Sequence, residues 1–177
     1  KNEPIWRFNT GYDYSIVLSA SDNLDYIAAD VSELYLLNKS GNLIWSYKIN
    51  SPNESSNHVF DFSISGSGNY IIMGGYDDNV YLFNNSNKNP VWIYNDSIPN
   101  FVDISYDGRY IIAHGEKIRF FENKSNIPIW EYDIKDFDII GSEKVLITDD
   151  GKYSLICISP FIDNEYRGKL YVFKNYD

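Results

Sequence analysis

The 177-residue sequence predicts an all-β fold made of four copies of one four-stranded unit. Three observations carry that expectation. An aliphatic-Trp string with an aromatic two residues on recurs as PIWRF at 4–8, LIWSY at 43–47, PVWIY at 90–94 and PIWEY at 128–132, using all 4 tryptophans. Hydrophobic residues make up 44% and aromatics 17%, led by 16 Tyr and 10 Phe, a composition suited to pleated surfaces. Asp-Gly and Gly-rich turns separate short apolar runs, and no run keeps the 3.6-residue period of a helix.

Each unit opens on a strand, at 14–20, 58–64, 101–106 and 143–149. Turns at 21–23, 65–69, 107–109 and 150–152 follow, and their Gly residues supply the positive φ of hairpin turns. Second strands at 25–30, 69–75, 109–115 and 152–159 each carry a Tyr near the start: Tyr26, Tyr70, Tyr110 and Tyr153. Third strands lie at 33–38, 80–85, 118–123 and 170–175, and the Trp string forms the fourth. Four short antiparallel strands repeated about every 44 residues are the pattern of a β-propeller blade. The blades span about 14–48, 58–94, 101–132 and 143–175, the last completed by 4–8.

The register is circular. YVFKNYD at 171–177 followed by KNEPIWRF at 1–8 parallels YLFNNSNKNPVWIY at 81–94, so string 4–8 supplies the strand that the last unit lacks. A strand supplied in this way closes an otherwise open sheet edge. Half of an eight-bladed ring shared between two chains, or a portion of a longer array, satisfies the same phase. The first residue is Lys1, with neither Met nor leader before it, as expected of a chain processed or excised from something longer. Alternation in an outermost strand turns each Trp toward a neighbouring blade, so Trp6, Trp45, Trp92 and Trp130 are expected to dock blade on blade. Pro4, Pro90 and Pro128 suit the start of an edge strand, where a missing N–H leaves no ladder partner unsatisfied.

Charge and cysteine content narrow the function classes. With 25 acidic against 15 basic residues the net charge is −10, which repels nucleic acid and anionic membranes, and no basic stripe compensates. No apolar run reaches the ~20 residues of a spanning helix, so direct membrane insertion is not expected. The single cysteine, Cys157, excludes a disulfide framework and a cysteine metal cluster. Its neighbours Leu155, Ile156 and Ile158 predict a buried, inert thiol.

YLLNKSGNLIWSYKI at 35–49 resembles the tryptophan-docking motif of pyrroloquinoline-quinone-type propeller repeats, with Asn38, Ser40, Gly41 and Trp45 in the places of its Asp, Thr, Gly and Trp. VDISYDGRYIIAHG at 102–115 and FSISGSGNYIIMGG at 62–75 resemble WD-repeat propellers, without the Gly-His and Trp-Asp signatures. The resemblance spans the chain and implies a propeller of the hybrid type found in archaeal and bacterial repeat proteins. It does not imply quinoprotein chemistry, which in that family needs adjacent cysteines, and a fold carries no chemistry by itself.

No catalytic, cofactor-binding or metal-binding residue is assigned. Asp77-Asp78 and Asp149-Asp150 offer oxygens to a hard cation, but both pairs stand where turns favour Asp. His58 and His114 lie in different units without a third ligand nearby. Two long connections in the last unit, 133–142 and 160–168, are expected to emerge on one face. They carry a candidate interaction patch of Asp136, Phe137, Asp138, Phe161, Asp163, Glu165, Tyr166 and Arg167. Asn-x-Ser sequons at Asn38, Asn53, Asn84, Asn95 and Asn123 are candidate glycosylation positions and suit an extracellular or cell-surface setting.

The sequence thus leads to a non-enzymatic propeller that binds a protein partner or itself. A binder of small ligands or glycans in a central channel is the alternative, and a quinoprotein-type enzyme the remote one. If the indoles wedge between blades, each buries ~150–250 Å², worth about 4–6 kcal/mol gross. Trp130→Ala is expected to cost about 3–5 kcal/mol in urea denaturation; an unchanged midpoint contradicts the wedge.

Overall fold

The computed structural model describes residues 3–9, 17–30, 33–50, 58–96, 101–134, 144–159, 161–162, 165–166 and 168–177. Among these residues the fold is all-β and contains no helix. The first sheet is an antiparallel meander of β1 (Val17–Ala20), β2 (Tyr26–Asp30), β3 (Leu34–Asn38) and β4 (Leu43–Tyr47). The second repeats it with β5 (Val59–Ile64), β6 (Tyr70–Gly75), β7 (Asn79–Asn84) and β8 (Asn87–Asn95). The third has β9 (Phe101–Ile104), β10 (Tyr110–His114), β11 (Ile118–Glu122) and β12 (Trp130–Tyr132). A fourth, three-stranded sheet holds β13 (Lys144–Ile147), β14 (Tyr153–Ile158) and β17 (Lys169–Lys174), with β15 (Phe161–Ile162) and β16 (Glu165–Tyr166) as a separate hairpin between β14 and β17.

The expected closure of the last sheet by the N-terminal string is not what these residues adopt. Residues 3–9 form no strand, and β17 is the outer edge of its sheet. Trp6 and Phe8 pack on the first sheet instead. Trp6 Nε1 donates to Lys39 O at 2.9 Å, and the Phe8 ring meets Tyr35 at 5.7 Å. The string makes the side-chain contacts of a fourth strand without its backbone ladder.

Three apolar cores join four sheets in chain order. Ala28, Leu34, Leu36 and Trp45 of the first sheet face Phe62, Ile71, Met73 and Phe83 of the second. Ile72, Val80 and Leu82 of the second face Val102, Ile111 and Phe121 of the third. Ile112, Ile118 and Phe120 of the third face Val145, Ile156 and Ile158 of the fourth. Adjacent Ile71 and Ile72 point to opposite neighbours, as do Ile111 and Ile112, because side chains alternate across a strand. That is why the second strands of the middle sheets read as unbroken apolar runs.

The turns lock this stacking. Ser21, Ser65, Ser105 and Thr148 each accept, through the side-chain oxygen, the backbone N–H of the Tyr five residues on, at 3.0–3.1 Å. Each of Tyr26, Tyr70 and Tyr110 then lies on the turn glycine of the following sheet: Gly68, Gly108 and Gly151, with φ of +75°, +76° and +72°. A Cβ at Gly108 would sit 2.4 Å from the Tyr70 ring. Gly108→Ala is therefore expected to cost upwards of about 2 kcal/mol in urea denaturation, combining left-handed strain with overpacking. Gly168→Ala, whose Cβ would meet nothing closer than 4.0 Å, serves as the near-neutral control. Equal effects of the two substitutions would contradict the packing described.

Candidate functional site

The contacts between sheets recur in register. Trp45 Nε1 donates to Asn85 O at 2.8 Å and Trp92 Nε1 to Asn123 O at 2.9 Å, each reaching the turn after the third strand of the next sheet. Trp130 lies against Phe173 at 5.3 Å. Two residues after each Trp a second aromatic repeats the contact. Tyr47 meets Tyr81 at 5.6 Å, and Tyr132 meets Tyr171 at 6.1 Å. Between the second and third sheets the partner is instead Arg119, its guanidinium 5.2 Å from the Tyr94 ring and paired with buried Asp96. Asn85, Asn123 and Asn175 tie each sheet internally, donating through Nδ2 to the carbonyls of Gly68, Gly108 and Gly151 at 2.8–3.0 Å. Their recurrence after the third strand was a signal in the sequence that the sequon motif masked at Asn123.

The first strands of all four sheets, β1, β5, β9 and β13, line one cavity of about 420 Å³. Each is the edge of its sheet, with outward N–H groups that need acceptors. Polar side chains of the preceding sheet supply some of them. Ser19 Oγ accepts from Ile64 N at 3.1 Å, Asp61 from Val102 N at 3.0 Å and Asp103 from Ile147 N at 2.9 Å. Ser63 Oγ also donates to Asp103 at 2.8 Å. In the fourth sheet the position of Ser19, Ser63 and Asp103 is taken by Leu146. Lys144 completes the polar lining.

Burial sets the titration of these groups. It pushes the Asp61 carboxyl up to about 6, helped by neighbouring Asp103 and opposed by the Val102 and Phe62 amides and by Lys144. Burial likewise raises Asp103 against the Ile147 amide and Ser63, and raises Asp30 to about 6. His114, fully buried at the end of β10, moves the other way, down to about 4, again chiefly by burial. Asp61 and Asp103 serve as acceptors between strands.

The fourth sheet leaves one face uncovered. Leu170 and Val172 of β17 are 65% and 61% exposed. The same positions in the other third strands, Leu34 and Leu36, Val80 and Leu82, and Ile118 and Phe120, are all 0% exposed because the next sheet covers them. Leu146, Tyr153 and Cys157 are exposed on the same face. Cys157 is thus not the buried thiol its neighbours suggest. Alternation along β14 turns it outward while Ile156 and Ile158 face the third sheet. The first sheet mirrors this. Leu18 is 68% exposed where Phe62, Val102 and Val145 are 3–4% exposed.

Of the loop patch read from sequence, Asp136, Phe137, Asp138, Asp163 and Arg167 lie outside the described residues. Phe161 pairs with Tyr166 in the β15–β16 hairpin, and Glu165 is exposed. Asp77-Asp78 and Asp149-Asp150 both sit at turns; Asp78 adopts a φ of 65° and Tyr81 OH donates to Asp77. Among the described residues no three metal-ligating side chains come together. Asn38 and Asn84 each accept local backbone N–H bonds in turns, Asn95 is exposed, and Asn53 lies outside the described residues.

The pH dependence follows from these shifts. Asp61 and Asp30 hold their protons in the folded chain to about pH 6 against 3.8 when unfolded, so their contribution is full below pH 4 and lost as pH rises through 6. His114 contributes stability above pH 6.5 that is lost as pH falls toward 4. Asp61→Asn keeps the acceptor for Val102 and removes the ionisation. It is expected to raise Tm at pH 7.5 by roughly 2–4 °C and to leave Tm at pH 4 unchanged, by scanning calorimetry. An equal shift at both pH values would contradict the assignment.

No family model matches the chain, and no curated protein matches it.

Proposed function

We propose that this chain is a non-enzymatic β-propeller-type module, each sheet a blade, that works by presenting surface to a protein partner. The repeated meander, the cavity shared by the four first strands and the recurring Trp and Tyr contacts support the blade reading. The observation that carries the interaction reading is the uncovered face of the fourth sheet. A strand with one face to water normally alternates apolar with polar residues, whereas β14 and β17 carry Tyr153, Leu155, Cys157, Leu170 and Val172 outward and Ile156, Ile158, Tyr171 and Phe173 inward. Contiguous exposed apolar surface of this kind marks a contact site. Val91 and Ile93 on β8, and Ile127 and Ile129 just before β12, are further exposed aliphatic residues. An extracellular setting, with a glycan on exposed Asn95, belongs to the same proposal.

The cavity favours a second reading, a small polar ligand held among Asp61, Asp103, Ser19, Ser63 and Lys144. Such a ligand would stabilise the fold by RT ln(1 + [L]/Kd).

A photo-crosslinking residue at Val172, compared with one at exposed Lys88, separates the two. In extract of the cells that make the protein, adducts of protein mass are expected from position 172 and not from 88. Absence of protein adducts from both positions would overturn the interaction reading.

A further inference from the structure

We infer that the partner of the uncovered face is a second copy of this chain, packed head to tail so that the fourth sheet of one copy lies on the first sheet of the other. The inference rests on the reading of that face as a protein contact.

What covers the equivalent positions elsewhere in the molecule identifies the occupant. Leu34, Leu36, Val80, Leu82, Ile118 and Phe120 are each sealed by the following sheet of the same repeat. Leu170 and Val172 present the same positions exposed, with no following sheet among the described residues. On the first sheet, Leu18 stands open at the position that Phe62, Val102 and Val145 bury against a preceding sheet. The chain therefore exposes one half of its own recurring interface at each end of the stack. Its two halves do not meet within one copy: no apolar core joins the fourth sheet to the first among the described residues.

The first sheet already carries part of the missing neighbour. Trp6 donates to Lys39 O as Trp45 does to Asn85 O and Trp92 to Asn123 O, and it lies over Gly41, where a Cβ would be 2.6 Å from the indole. Phe8 on Tyr35 repeats Tyr47 on Tyr81. String 4–8 thus sits where the fourth strand of a preceding sheet would sit. The place inside it belongs to a third strand, and β17 is a third strand that forms the edge of its sheet among the described residues. Docking a second copy there gives β17 a fourth strand and buries Leu146, Tyr153, Leu170 and Val172 against Leu18 and Leu24. The seam also differs in kind from the other three. Leu146 replaces the hydroxyl or carboxylate acceptor, and Leu24, with a φ of 57°, stands where the other sheets have the glycine that seats a Tyr ring, so across the seam Tyr153 packs against the Leu24 side chain rather than on bare backbone. A twofold axis makes this seam twice and closes eight sheets into one ring.

Sedimentation equilibrium at micromolar concentration is expected to give twice the 20.5 kDa of one chain, and Val172→Lys to give 20.5 kDa with an unchanged far-ultraviolet spectrum. Cys157 reports on the same face without any variant. Its alkylation is expected to be at least about tenfold slower in the pair than after dilution to single chains. A 20.5 kDa species at every concentration overturns the inference. So does a species larger than two chains, a pair that Val172→Lys leaves intact, or a pair whose Cys157 reacts as fast as in the single chain. A single chain whose residue 172 cross-links to some other protein overturns the second copy as partner while leaving the interaction reading in place.

Discussion

Docking of an aromatic ring against the backbone of the next sheet is the constraint on which the rest of the structure depends. Tyr70 lies on Gly108 and Tyr110 on Gly151 because each turn reaches a left-handed φ with no Cβ in the way. Once the ring is seated, neighbouring turns come within bonding range, and Tyr106 N donates to Asp149 O at 3.0 Å. The first strands are then close enough for Ser19, Asp61 and Asp103 to take up edge N–H groups that would otherwise be stranded. One steric allowance, repeated, fixes the order and spacing of the sheets.

That same arrangement makes each sheet depend on the next. The middle sheets are buried on both faces, so their strands carry apolar residues in unbroken runs. β14 and β17 carry the same kind of run but, among the described residues, have a sheet on one side only. Their outward residues are therefore a request for cover in the terms the repeat already uses, and a copy of the repeat is the surface shaped to meet it.

Strand positions were legible because alternation and turn chemistry are local. The β5, β9 and β11 starts fall within a residue of the positions read from sequence, and the Gly turns lie where Asp-Gly and Gly-rich pairs mark them. Less was legible where the outcome turns on what lies across a sheet. Cys157 sits among apolar neighbours in sequence, yet whether that face is covered depends on a sheet that local pattern cannot supply. String 4–8 has the residues of a fourth strand and docks its rings on the first sheet as one, but among the described residues it forms no ladder with β17. Asp61 and Asp103 were passed over because a lone Asp in a strand looks like a surface residue; only the stacking turns them toward edge amides. The recurrent Tyr at the second strand was noticed without its partner, the glycine about 40 residues further on.

Amide hydrogen exchange along β17 tests the central claim most directly, since the claim is that its open edge and outward face are completed by another sheet of the same kind. The β17 amides that do not pair with β14 should exchange slowly at high protein concentration and speed up on dilution, with β6 and β10 protected throughout. Exchange of those amides at the free-peptide rate at every concentration, with β6 and β10 still protected, would contradict it.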